Sequence, residues 1–480
     1  MRKNPSRKRK AIAMTQCTAK PLAFSSLSRR RVEADFDGGH LTSDAGALLL
    51  REVDRRLRLT ERLAACLTDP RDPGATTHTV AAMLRQRIFG IALGYEDLND
   101  HQTLRDDPLM KVLAERPPKE DQPLASPSTL CRLDNAALRR DLVAMTETLV
   151  ETFIASHAAP PERLVLDFDA TDDPLHGEQE GRFFHGYYDA YCYLPLYVFC
   201  GGQLLVPYLR PARIDAAKHS RAILKLLVRR LREVWPDVRI LVRADSGFCR
   251  WRLMRWCDRH GVDYILGLAK NARLMRLAEP LREEAADRFE ATGAKQRRFA
   301  EVRYAAGTWD RERPVIVKAE YLTHGPNTRF VVTNLDGDPQ DLYDRLYCAR
   351  GDMENRIKEQ QLDLFAGRTS CHRFLANQFR VLLASTAYIL VETLRREGLA
   401  GTELARAQAG TIRTRLLKIG ARVRVSVRRV VLHLASGYPL QDLFRRVLAR
   451  LRHLPRLTLA PGHQPMSQVH PVAHPACGFR

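Results

Sequence analysis

Residues 163–173 read Arg-Leu-Val-Leu-Asp-Phe-Asp-Ala-Thr-Asp-Asp, an apolar run that ends in four aspartates. Leu164, Val165, Leu166 and Phe168 predict a short buried strand, which leaves Asp167, Asp169, Asp172 and Asp173 crowded at its C-terminal end. Carboxylates that close repel one another, so the cluster calls for a cation. The structural alternative is a solvated Asp-rich turn, because Asp favours turns by bonding its own backbone.

Two acidic positions downstream favour the first reading. Residues 237–248, Asp-Val-Arg-Ile-Leu-Val-Arg-Ala-Asp-Ser-Gly-Phe, predict a second apolar strand with Asp245 where it stops, followed by a Gly-containing turn into a helix. The third acid is Glu354. Tyr347, Arg350, Glu354, Lys358 and Gln361 recur at steps of three and four, which places them along one face of a helix. Two strand-end carboxylates and one helical carboxylate, with an Arg and a Tyr beside it, are suited to holding divalent metal against phosphate.

The charge balance names the kind of partner. The 480 residues carry 77 Lys+Arg against 56 Asp+Glu, a net +21, so a polyanion is expected; a basic but solvated surface is the bland alternative. Residues 1–32 hold ten Lys/Arg and no acid, and residues 366–480 hold nineteen basic against four acidic residues, so both ends suit phosphate. The ten cysteines show no C-x-x-C pair and no zinc-finger spacing, which predicts reduced thiols. No apolar run reaches the ~18 residues of a membrane span and the N-terminus lacks a signal-peptide core. A soluble, cytoplasmic protein with no membrane partner is expected.

Along the chain, residues 1–32 predict a disordered basic arm, in which Arg7-Lys-Arg-Lys10 also matches a nuclear-import composition, and 33–158 predict a helical domain. Strands begin after Ala158-Ala-Pro-Pro161: the Asp-cluster strand, then two apolar runs joined by Gly201-Gly202 as a hairpin. An amphipathic helix over 221–234, the Asp245 strand, a helix from Trp251 to His260 and a strand over 262–268 complete an order of three strands, helix, strand, helix, strand. Residues 298–335 alternate at period two and predict a β insertion within 273–335. A helix from Phe374 to Glu397 follows, then a basic C-terminal region over 401–460 and a tail over 461–480.

That order, with the first acid on strand one and the second on strand four, resembles the ribonuclease-H-like fold of polynucleotidyl transferases. The fold class it implies is α/β: a mixed sheet flanked by helices, built from 159–272 plus 336–400. Leu41-Thr-Ser-Asp-Ala-Gly46, Ala92-Leu-Gly-Tyr-Glu-Asp-Leu-Asn-Asp100, Thr103-Leu-Arg-Asp-Asp-Pro108, Ser128-Thr-Leu-Cys-Arg132, His176-Gly-Glu-Gln-Glu180, Arg243-Ala-Asp-Ser-Gly-Phe248 and Tyr264-Ile-Leu-Gly-Leu268 stand in an order that resembles DDE transposases of bacterial insertion sequences, most closely the insertion-sequence 1380 family. The resemblance spans roughly 33–455. It implies Asp169 of Asp169-Ala-Thr171, Asp245 and Glu354 as catalytic metal ligands for Mg²⁺, with Mn²⁺ as substitute, and Tyr347, Arg350, Lys358 and Gln361 as DNA contacts. Gln361 stands where the related signature has lysine, and Lys358 is the nearest ammonium on that face.

The activity so implied is metal-dependent cleavage and transfer of DNA strands, on the element's own terminal inverted repeats and on target DNA. Residues 33–158 would bind the DNA ends, and the chain would act as a homodimer with paired ends in a bacterial, nucleoid-associated setting. Two alternatives stand beside it. One is a catalytically inactive, transposase-derived DNA-binding protein. The other is a haloacid-dehalogenase-type phosphatase, because Leu164-Val-Leu-Asp-Phe-Asp-Ala-Thr171 also fits that family, with Asp167 as nucleophile and Asp169 as acid/base.

Overall fold

The computed structural model describes residues 21–119, 121–455 and 457. Its first strands, β1 (Leu22–Leu27) and β2 (Arg30–Ala34), pair antiparallel around Ser28 at φ 54°, with Phe24 opposite Val32. The arm expected to be without structure through residue 32 is therefore ordered from Leu22 onward. Cross-strand pairing overcomes its high charge. The stretch 1–20, with Arg7-Lys-Arg-Lys10, and the tail over 461–480 lie outside the described residues.

After β3 (Leu41–Thr42) come the helices Leu48–Leu57, Leu59–Cys66, Val80–Leu93, Pro127–Ala136 and Arg139–Ala155. Strands β4 (Arg163–Ala170), β5 (Asp173–Pro174), β6 (Phe183–His185), β7 (Ala190–Tyr193), β8 (Leu196–Cys200), β9 (Gln203–Tyr208), β10 (Arg239–Ala244) and β11 (Asp263–Leu268) follow. Next are β12 (Gln296–Tyr304), β13 (Arg313–Leu322), β14 (Gly325–Thr333), β15 (Ala421–Val425) and β16 (Val430–Leu434).

The main sheet has eight strands in the order β12-β13-β14-β11-β10-β4-β8-β9. At its centre β4, β10 and β11 run parallel, while β8 and β9 turn back through Gly201, whose φ of 57° a two-residue hairpin needs. The insertion is not a separate body: β14 pairs antiparallel with β11, so β12–β14 extend the same sheet.

Residue parity decides what each face of the sheet carries. Leu164, Leu166 and Phe168 of β4, with Ile240, Val242 and Ala244 of β10, pack against the helices Ser220–Val234 and Trp251–Arg259. The odd positions point the other way. Leu241 and Ile265 meet Tyr343 there, so Asp167, Asp169, Arg243 and Asp245 share the face that the 342–362 segment covers.

The residues expected as a helical domain share one core with the rest of the chain. Leu84, Ile88 and Phe89 pack with Phe379, Leu383 and Tyr388 of the Phe374–Thr393 helix, and Val447 and Leu451 of the Gln441–His453 helix join the same cluster. Neither residue 158 nor residue 400 marks a break in packing. Residues 374–398 are long and apolar enough to cross a membrane by length and composition alone, and most of that helix is buried in this core.

Candidate active site

Asp169 lies near the end of β4, and its neighbours come from three elements. Its Oδ1 accepts the Ala170 N–H at 2.9 Å, and its Oδ2 accepts from Arg350 Nη1 at 3.3 Å. The other terminal nitrogen of Arg350 donates to Glu354, one turn on in the Gly351–Leu362 helix, so one guanidinium bridges the two acids. Burial pushes the Asp169 carboxyl up to about 7; Arg350 opposes this, and Asp245 and Glu354 add to it.

Asp245 follows β10 in extended conformation, and its Oδ1 accepts the Gly247 N–H at 2.9 Å. Because Arg243 pairs with Asp167 and Ala244 with Phe168 across the two parallel strands, the next step of the register sets Asp245 beside Asp169. Gly267 on the neighbouring strand completes the arrangement. A Cβ there would stand 2.6 Å from the Tyr347 hydroxyl and 2.8 Å from the Ser246 backbone nitrogen, so only glycine lets Tyr347 and the Asp245 turn approach β11 together. Burial raises the Tyr347 phenol, with Asp245 contributing.

The four aspartates of the cluster do not share one cation. Asp167 is buried with both oxygens on Arg243, at 2.8 Å for Nη2 to Oδ2, and Arg243 also donates to the Leu346 carbonyl. Asp173 is buried on the Thr369 hydroxyl at 2.8 Å, and burial pushes it up to about 8. Asp172 presents its carbonyl to Gln361 Nε2 at 2.9 Å. Asp169 is the one of the four whose carboxylate Arg350 joins to Glu354. The nucleophile that the phosphatase reading requires, Asp167, has its carboxylate fully engaged by a guanidinium.

The five-residue face does not ride on one regular α-helix. The chain passes through a π turn, Leu342–Tyr347, and a 3-10 turn, Cys348–Arg350, before the α-helix begins at Gly351. Tyr347, Arg350 and Glu354 still converge on the strand ends, and Lys358 is exposed. The Gln361 amide fastens the helix to the loop after β4.

Among the described residues no three His, Cys, Asp or Glu side chains converge closely enough to ligate one ion. The donor chemistry nevertheless suits Mg²⁺ or Mn²⁺: three carboxylates are hard oxygen ligands, and partly buried Asp169 faces two like charges. Arg350 supplies the positive charge between Asp169 and Glu354. A divalent ion held by both acids requires that guanidinium to move aside.

Some contributors carry no motif. Arg243 was readable as a cation between apolar residues near the end of a strand and Gly267 as a glycine inside a strand, but Thr369 had no local signal. Tyr188, in the turn after β6, is pushed up to about 12 by burial, with Asp172, Asp169 and Asp245 adding to it.

A family model described as "Transposase DDE domain group 1" matches residues 24–456. Among solved structures, the cryo-EM structure of a piggyBac transposase synaptic complex with hairpin DNA is similar at TM-score 0.38 and 11% identity, over 91% of this chain and 87% of that one. A likeness at that level carries no argument about this site. No curated protein matches the chain.

Proposed function

The chain belongs to the transposase family of DDE domain group 1, and from that premise we propose that Asp169, Asp245 and Glu354 are its catalytic carboxylates. We propose further that the chain cleaves and transfers DNA strands at the terminal inverted repeats of its own element. The observation that carries this reading is the Arg350 bridge: an acid at a strand end and an acid on a helix meet on one guanidinium, with a third acid at the end of the adjacent parallel strand. The five strands β9-β8-β4-β10-β11, joined by two antiparallel and then two parallel pairings, support a ribonuclease-H-like core.

When bound, Mg²⁺ or Mn²⁺ on the three carboxylates would supply Lewis-acid activation of the attacking and leaving oxygens. The chain's own groups do the rest. Arg350, freed from its carboxylates, offers a planar fork to the non-bridging oxygens of a phosphate, and Tyr347 offers one hydroxyl donor beside Asp245. Arg243 and Gln361 hold the helix that carries them, and exposed Lys358 adds charge along the DNA.

The finer assignments belong to the same proposal: membership of the insertion-sequence 1380 group, a bacterial nucleoid setting, recognition of DNA ends by residues 33–158, and a homodimer that pairs two ends. The test is a cleavage assay on duplexes cut from the flanks of the reading frame. Asp169→Asn, Asp245→Asn and Glu354→Gln should each abolish cleavage and leave end binding intact. Cleavage at the wild-type rate by any one of them removes that residue from the site.

A further inference from the structure

Away from the carboxylates, the β15–β16 hairpin forms one wall of a groove of about 1250 Å³. Its base is anchored: Ala421 and Val423 are buried, and Ala421 pairs with Thr42 of β3. Its outer half is not. Arg424, Val425, Val430 and Val431 are all exposed, which puts both faces of the ribbon in solvent, and Val427 at the tip is fully exposed. The Ser426 N–H donates to the Arg429 carbonyl at 2.8 Å and closes the turn.

Charge is concentrated on this ribbon. Arg422 and Arg424 lie on one face, two residues and therefore ~6.6 Å apart at about 3.3 Å per residue. His433 stands opposite Arg422, Arg428 and Arg429 occupy the turn, and Lys119 lines the far wall. Elsewhere in the chain arginines are commonly ion-paired, as at Arg230, Arg243, Arg297 and Arg395. Arg422, Arg424, Arg428 and Arg429 make no ion pair with any described residue. Of the two acids on the groove, Asp106 lies 3.7 Å from Arg105, which leaves Asp37.

We propose that the β15–β16 hairpin and this groove are a duplex-DNA binding site, with Arg422, Arg424, Arg428 and Arg429 holding backbone phosphates. Four unpaired guanidiniums on a projecting two-stranded ribbon match a regular polyanion, and a ribbon of that width is what the major groove of B-DNA admits. A small anion would engage one of these side chains rather than a row of them. The exposed valines give the ribbon an apolar edge suited to thymine methyl groups. The proposal rests on the DNA-processing reading above and adds where the duplex runs, on a surface contributed by the C-terminal region, by the 37–40 loop and by residues between 106 and 119.

The test uses the full-length protein and a fluorescent duplex of random sequence, titrated across a salt series in chelator so that the carboxylate site is not engaged. The wild type, R422A/R424A/R428A/R429A and R422K/R424K/R428K/R429K are compared, with thermal unfolding as the check on folding. The alanine set should flatten the slope of log affinity against log salt by ~2–4, at about 0.9 per phosphate contact, and the lysine set should retain it. An alanine set with the wild-type slope overturns the site and leaves the DNA-processing reading standing. Equal flattening by both sets overturns the phosphate assignment. A wild type that binds no duplex overturns both readings, and tighter binding of duplex RNA than of duplex DNA at equal salt overturns the choice of DNA.

Discussion

Replacing Asp169 with asparagine should make the protein more stable, by an amount that depends on pH. The carboxyl is raised from its ordinary 3.8 to about 7, chiefly by burial. At ~1.4 kcal/mol for each tenfold in proton affinity, keeping it ionised costs the folded state roughly 4 kcal/mol. The sign follows from linkage. A folded-state value above the unfolded one gives stability that is present below about pH 4 and is lost as pH rises through about 7, because the unfolded chain releases that proton earlier.

Asparagine keeps the shape without the charge and gives up the Arg350 pair, so we expect Asp169→Asn to gain ~2–3 kcal/mol at about pH 8, shrinking to ~1 kcal/mol or less near pH 5. Denaturant midpoints of both proteins at the two pH values, in chelator, measure the difference. Added Mg²⁺ should raise the melting midpoint of the wild type at about pH 8 and leave the variant unmoved, since binding to the folded state alone stabilises it. A variant no more stable than wild type at the higher pH, or an advantage equal at both, would refute the assignment of Asp169 as a strained, buried acid.

Arg243→Met should destabilise by ~3–5 kcal/mol, because it strands Asp167 as a buried charge without its partner, and chemical denaturation reads this directly. Gly267→Ala forces a Cβ against the Tyr347 hydroxyl and the Ser246 nitrogen, costing ~1–3 kcal/mol and slowing cleavage; adding Tyr347→Phe should recover part of the stability. Gln361→Lys should leave single-turnover cleavage of the assembled complex nearly unchanged, since residue 361 reaches the Asp172 carbonyl rather than Asp169, and a many-fold rate increase at saturating protein would move it into the chemistry.

What could be read from the sequence was local. The period of two in Leu164–Asp169 and in Arg239–Asp245 already separates the core-facing residues from the acids, because a strand alternates whatever it pairs with. The steps of three and four from Tyr347 likewise bring Arg350 and Glu354 to the strand ends, even though a 3-10 turn intervenes before the α-helix begins. Pairing between distant segments has no such signal. Nothing in the composition of β12–β14 distinguishes an insertion that folds by itself from one whose β14 adds to β11. The helices before residue 158 look like a complete amphipathic set, and only the packing of Phe379 and Leu383 among them shows that they share a core.

The Asp cluster shows the same limit at the scale of single side chains, and the way it resolves sets how the site is held. Sequence spacing crowds four carboxylates together, but the fold gives Asp167 to Arg243, Asp173 to Thr369 and Asp169 to the Arg350 that also holds Glu354, while the Asp172 carbonyl takes the Gln361 amide. Two of those contacts brace the carboxylates from outside. Arg243 ties the sheet to the Leu346 carbonyl just before Arg350, and Gln361 ties the far end of the same helix to the loop after β4. Glu354 lies between these two points. Its approach to Asp169 is therefore braced by hydrogen bonds that involve the carboxylate of neither residue, so under the proposed function a divalent ion would meet two acids whose backbone positions are held independently of Arg350.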